Sequence, residues 1–304
     1  MYTRASLVVA LFTSIMGFTQ QEAPLLQGIP PEPDALFLPG ALAPARCPLP
    51  GDPGPGDHTL WVEHDGMTRT YEIHVPATYD GAIPTPLVVG LHGFASSAAQ
   101  HARLSGMNDV SDREGFIAIY PSGFAGSWNA GECCGAASVA GLDDAGFVVE
   151  AVEDAASRLC LDTERVYLSG TSNGGMLAHR LACEQADLFA AVAVVSGRMP
   201  ASFCMPSRPV PLVAFHDALS DGFTYEAGEE GFLTWASLDG CTGSPVRTTH
   251  TGSFCDTFEA CDGGASLSFC TLDPVWGPSL GATAGQDPDV SFQAWSFLST
   301  HSLP

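Results

Sequence analysis

The stretch Arg165-Val166-Tyr167-Leu168-Ser169-Gly170-Thr171-Ser172-Asn173-Gly174-Gly175-Met176 decides how the chain folds. Val166, Tyr167 and Leu168 suit a short buried strand. Gly170 to Gly174 then spells G-x-S-x-G, and Met176 to Cys183 opens a helix. A serine on such a strand-to-helix turn needs glycine two residues before and after it, because a side chain at either place would clash. The helix N-terminus behind Ser172 adds positive partial charge that favours an oxyanion. The pentapeptide alone is common, and the flanking strand and helix are what make it specific.

Outward from this turn, strands and helices alternate. Upstream, Leu60 to His64 and Thr68 to Val75 flank Asp65-Gly66, the pattern of an antiparallel hairpin. Pro86 to Leu91 is a continuous apolar run, as expected of a strand covered on both faces. Residues 97–113 read as a helix, Gly115 to Tyr120 as a strand, and Asp144 to Leu159 as a helix with Phe147, Val148, Ala151, Val152 and Ala155 on one face. Downstream come strands at Leu188 to Val195, Val210 to Phe215 and Ser266 to Leu272, and helices at Glu229 to Leu238 and Val290 to His301. The predicted fold is α/β: a mostly parallel, doubly wound sheet with an N-terminal antiparallel hairpin, an α/β-hydrolase given the elbow near its middle.

Residues 1–20 read as a signal peptide, with Arg4 before the apolar run Ala5 to Phe18. Residues 21–56 are proline-rich and read as a linker or strap, leaving 57–304 as the hydrolase domain. The chain carries 34 acidic residues against 11 basic ones, none of them lysine, for a formal net charge of −23. Electrostatic binding to nucleic acid or an anionic membrane is thereby disfavoured, and lysine Schiff-base chemistry is excluded. With the signal removed, no membrane association is expected, and the localisation read is extracellular. The ten cysteines suit disulfides in an exported protein. They show no C-x-x-C pair to suggest a zinc site. Four of them, between 241 and 270, are expected to tie down a loop-rich segment.

Leu91-His92-Gly93-Phe94 ends the earlier buried strand. An oxyanion hole in this architecture takes one backbone N–H from the residue after the serine and one from this loop, which selects Asn173 and Phe94. His92 is read as a scaffold residue of the pocket.

Several blocks occur in a fixed order: His92-Gly93-Phe94, Tyr120 to Phe124, Gly126 to Gly135, Asp143-Asp144-Ala145-Gly146-Phe147 and Ser172 to Met176 with Leu181-Ala182-Cys183. Together they resemble the secreted α/β-hydrolases grouped as polyhydroxybutyrate depolymerase-like, feruloyl esterase-like and acetylxylan esterase-like. The resemblance runs from about residue 58 to the end. It implies a Ser-Asp-His triad and hydrolysis of neutral carboxylic esters, small or polymeric, without metal or organic cofactor. It places Trp128 and the Cys133-Cys134 pair near the pocket mouth. The family's His-Gly-Thr-x-Asp turn falls on His216 to Asp221, so Asp221 is the expected acid and Asp217 the alternative. The family's Gly-Gly-Gly-His-x-Trp-Pro loop falls on Thr271 to Pro278, where Pro274 stands in place of the histidine and Trp276 is retained as a pocket residue. Beyond the acid only His250 and His301 remain, and His250 is the candidate base. The missing histidine also supports a second expectation, an inactive homologue that binds carbohydrate, polyester or a protein partner.

Overall fold

Leu87 and Val89 alternate with Val88 along one strand, so that strand must be covered on both faces. The computed structural model describes Leu42, Cys47, Leu49 and residues 52–200, 204–217, 225–250, 253–272 and 288–304. The signal peptide expected at 1–20 lies outside the described residues, as does most of the strap expected at 21–56. The strap's end is fastened to the domain by the Cys47–Cys160 disulfide and by Tyr79, whose hydroxyl donates to Asp52 Oδ2 at 2.6 Å.

Strands β1 (Gly56–His64) and β2 (Met67–Val75) form the predicted hairpin, with Asp65 and Gly66 both at positive φ. Strand β3 (Thr85–Leu91) follows. The helix predicted over 97–113 is two helices, α1 (Ala98–Leu104) and α2 (Met107–Glu114). Gly106, at φ 74°, turns the chain between them. Gly115, also left-handed, caps α2, so β4 (Ile117–Pro121) starts two residues later than predicted. Then come α3 (Gly135–Ala140), α4 (Asp144–Arg158), β5 (Leu161–Thr171), α5 (Asn173–Glu184), β6 (Ala191–Val195), β7 (Leu212–Asp217) and α6 (Tyr225–Leu238). The chain ends with β8 (Val246–His250), β9 (Ser253–Phe258), β10 (Leu267–Leu272) and α7 (Pro288–Leu298).

The strand order is β1-β2-β4-β3-β5-β6-β7-β10-β9-β8. Its centre is parallel and both flanks are antiparallel, the mixed doubly wound arrangement expected. Leu87 and Val89 share one core with Phe147 and Val152 of α4, Leu177 of α5 and Trp235 of α6. Val88 faces the other way, into a core with Val110 of α2 and Val290 and Trp295 of α7. Trp295 stacks on Phe116 with centroids 4.1 Å apart. Among the described residues, no helix is long and apolar enough to cross a membrane.

The segment 241–270 corrects the sequence reading. It is not loop-rich: β8, β9 and β10 form an antiparallel extension of the sheet, with Cys255–Cys270 joining directly opposed residues of β9 and β10. Exposed Val246 opens an edge strand whose next residues, Arg247 to Thr249, are polar and exposed, so the two-residue alternation that signals a strand is absent. The remaining bridges are Cys133–Cys134, Cys183–Cys204 and Cys241–Cys261, leaving no free thiol.

Asp239 follows α6 in full burial. Its Oδ1 accepts the Val210 N–H at 3.1 Å and its carbonyl accepts the Asp262 N–H at 2.8 Å. Burial pushes its carboxyl up to about 7, with the nearby Asp262 charge adding to the rise against the Val210 N–H and Arg208. A raised carboxyl holds its proton longer in the folded state, so its stabilising contribution is full below about 4 and is lost as pH rises toward 7. Asp239→Asn keeps the Oδ1 acceptor and should flatten that slope, measured as the midpoint of urea unfolding between pH 4 and 8.

Candidate active site

Strand β5 delivers Ser172 into a backbone conformation that few non-glycine residues adopt, φ 54° and ψ −117°. Two hydrogen bonds hold it there: its N–H donates to Val195 O at 2.8 Å and its carbonyl accepts from Met176 N–H at 2.9 Å. Helix α5 begins at Asn173, immediately after the serine, which is earlier than the Met176 start read from the sequence. The glycines behave as the motif requires. A Cβ at Gly170 would lie 2.4 Å from Gly174 O, and one at Gly174 would lie 2.3 Å from Leu91 O and 2.5 Å from His92 O. The elbow is therefore pressed directly onto the end of β3.

That contact sets the loop after β3, which carries Phe94, against the elbow that carries Asn173. Gly93 runs beside the serine: a Cβ on it would lie 3.5 Å from Ser172 Cβ. Among the described residues, neither the Phe94 nor the Asn173 backbone N–H donates a hydrogen bond, which leaves both open to a ligand oxygen. Phe94's ring is half exposed and rests over Gly135, where a Cβ would meet it at 2.6 Å.

His92 serves as scaffold, and Trp128, expected near the pocket mouth, lies buried beside it. His92 and Trp128 are fully buried and brace the loops from behind. His92 Nε2 accepts the Gly123 N–H at 2.9 Å, so its proton sits on Nδ1 and is donated to Gly93 O at 2.8 Å. Burial lowers its pKa, which keeps the ring neutral. Trp128 donates its indole N–H to His92 O at 2.8 Å and its backbone N–H to Asn173 Oδ1 at 2.8 Å. The Asn173 amide returns two hydrogen bonds, to Trp128 O and Cys133 O. One side chain next to the serine thus ties the elbow, the β3 loop and the Cys133–Cys134 loop into a single frame.

A buried ion pair anchors that frame to the domain. Asp144, without solvent exposure, accepts from Arg69 at 2.8 Å through Oδ1 and from the Asn129 N–H at 2.7 Å through Oδ2. Arg69 also donates to Ser122 O and lies over the Phe147 ring at 4.0 Å. Sequence reasoning took Asp143-Asp144 only as a helix start. Its function as an anchor shows only once β2 is seen to bring Arg69 alongside.

For the acid and base, Asp217 closes β7, while Asp221, Pro274 and Trp276 lie outside the described residues. His250 closes β8, five strands from β5 in the sheet order, or about 24 Å at the usual spacing. His301 is at the opposite edge of the sheet from Ser172. Its ring meets Ser266 ahead of β10, and the Leu303 N–H reaches Glu164 near the start of β5. His179 is buried on α5 and accepts the Trp235 indole N–H, and His216 stacks on Phe269. Burial pushes them down to about 3 and about 4, keeping both neutral. Among the described residues, no histidine ring is hydrogen-bonded to Ser172 Oγ.

Comparison with known proteins agrees with this frame. The Esterase PHB depolymerase family model matches residues 70–203, which span both oxyanion elements and the elbow. Feruloyl esterase B of Piromyces equi is 27% identical over 260 residues, covering 78% of this chain and 46% of that protein. Feruloyl esterase C of Emericella nidulans is 26% identical over 286 residues, covering 87% and 98%. The acetyl xylan esterase structure from Aspergillus awamori superposes with a TM-score of 0.60 at 16% identity, covering 80% and 99%, which shows the α/β-hydrolase fold. The chain thus spans less than half the length of the Piromyces protein. These matches support the family resemblance carried by the sequence blocks.

Gly174→Ala would force a methyl group into the Leu91 and His92 carbonyls. We expect it to destabilise the fold by about 2–4 kcal/mol, read as a lower thermal midpoint, or to open the elbow with loss of Ser172 reactivity.

Proposed function

We propose that this chain is a serine-type carboxylic ester hydrolase acting on a neutral ester. The observation that carries the reading is Ser172 at φ 54° on a Gly-flanked elbow, next to Phe94 and Asn173, whose backbone N–H groups donate to no acceptor among the described residues. Ser172 Oγ attacks the ester carbonyl as a base takes its proton. The Phe94 and Asn173 N–H groups hold the oxyanion, each such donor being worth about 3 kcal/mol in the transition state. Collapse expels the alcohol, which takes the proton back from the base, and water then releases the acyl group from Ser172 by the same steps. Asp221 orients the base, with Asp217 as the alternative acid; His250, the base candidate by chain order, ends a strand five places from β5 and would have to be brought within reach of Ser172 to serve.

The names of the relatives support feruloyl esters as substrates, acetyl esters of xylan are supported by the name of a third relative, a bifunctional acetylxylan esterase/xylanase, and the family model adds polyesters. The net charge of −23 favours an uncharged substrate. Pairing of all the cysteines, together with the apolar run after Arg4, supports secretion.

Purified protein should be labelled at Ser172 by a fluorophosphonate probe and should turn over p-nitrophenyl acetate. Ser172→Ala is expected to abolish labelling and lower turnover about 10⁴-fold or more. An unlabelled wild type with turnover equal to Ser172→Ala would instead favour the inactive, ligand-binding homologue. Asp221→Ala and Asp217→Ala, assayed side by side, identify the acid. Turnover by His250→Ala at the wild-type rate would exclude that residue as the base.

A further inference from the structure

On the flank of the domain, a buried imidazole is surrounded by oxygen. His64 ends β1, 6% exposed, with its ring 6.2 Å from the Phe147 ring. Its Nε2 lies 2.8 Å from the Asp143 carbonyl oxygen, 3.7 Å from Asp143 Oδ2 and 3.8 Å from Asp65 Oδ2. Its Nδ1 lies 3.1 Å from Glu150 Oε1. A neutral imidazole has one N–H and one lone pair, so in either tautomer a lone pair faces oxygen. Among the described residues Nδ1 makes no hydrogen bond, while Nε2 faces two carboxylates and the Asp143 carbonyl, to which it is hydrogen-bonded. A cation held by the carboxylates would take the Nε2 lone pair of the other tautomer in place of that hydrogen bond.

The cradle is shaped as well as charged. Gly146 leaves room for it: a Cβ there would lie 2.2 Å from Asp143 Oδ2 and 2.9 Å from His64 Cε1. The candidate ligand atoms of His64, Asp65 and Asp143 all lie within 4.8 Å of one another. One imidazole nitrogen with carboxylate oxygens suits a borderline transition metal better than calcium or magnesium, which prefer all-oxygen sites. We propose that His64, Asp65 and Asp143 bind a divalent transition-metal cation of the zinc type. Such an ion would clamp the β1–β2 turn to the start of α4, next to the Asp144 anchor of the active-site frame. The site stands independently of the ester-hydrolase reading.

Two substitutions remove ligands while sparing the backbone. Asn tolerates the left-handed conformation of Asp65, and Asn caps a helix about as well as Asp143 does. Isothermal titration of the chelator-treated, disulfide-intact protein with ZnCl₂ should show one site. Saturating zinc should raise the melting temperature by about 5 °C. Cobalt(II) should give visible absorption bands. Asp65→Asn and Asp143→Asn should lose the binding. Two results would overturn the proposal: no zinc heat or thermal shift in the wild type, or identical titrations for wild type and both Asn variants.

Discussion

Everything around Ser172 depends on one close approach, that of the elbow backbone to the carbonyls of Leu91 and His92. No side-chain atom fits between them, because a Cβ at Gly174 would come within 2.3 Å of Leu91 O. A strained serine persists there because the parallel sheet supplies the opposing force: β3 and β5 pair in register from Leu87↔Val166 to Leu91↔Gly170. The strain is local, whereas the ladder and core that resist it are extensive.

The frame around the elbow is polar, and of its buried side-chain nitrogens and oxygens Arg69 Nη1 is left without a partner among the described residues. Asn173, Trp128 and His92 exchange hydrogen bonds with one another's backbones, and Asp144 with Arg69 holds the same loop from the other end. Such a network is expensive to bury only if left incomplete. Here both Asp144 oxygens are used, and each indole or imidazole N–H of Trp128 and His92 finds a carbonyl. The rigidity matters for the chemistry proposed, because oxyanion donors stabilise charge only when they need not reorganise.

Much of the architecture was legible in the sequence. Buried parallel strands announce themselves as continuous apolar runs, and β3 through β7 were all located, with boundaries off by a few residues. The misses have local causes. Gly106 splits a helix whose apolar pattern runs through the break, and β8 hides because an exposed edge strand has no inward face to mark with alternating apolar residues. The site was legible only in its backbone part. G-x-S-x-G located the elbow and His92-Gly93-Phe94 the loop packed against it, whereas the burial of Trp128 was not legible because sequence does not say which way a polar aromatic faces.

By itself, the sequence determined the strand–serine–helix turn, the parallel sheet around it and the absence of a histidine where the family has one. These are properties of neighbouring residues, written in periodicity, glycine placement and motif order. Only the tertiary structure decided that Asp144 meets Arg69 across 75 positions, that Asn173 meets Trp128 across 45, and that His64 is enclosed by Asp65, Asp143 and Glu150. Such pairings follow from strand order and register, so they exist only once distant segments are packed against one another. The same holds for His250, whose distance from Ser172 is set by five strands of sheet and by no property of its own neighbours.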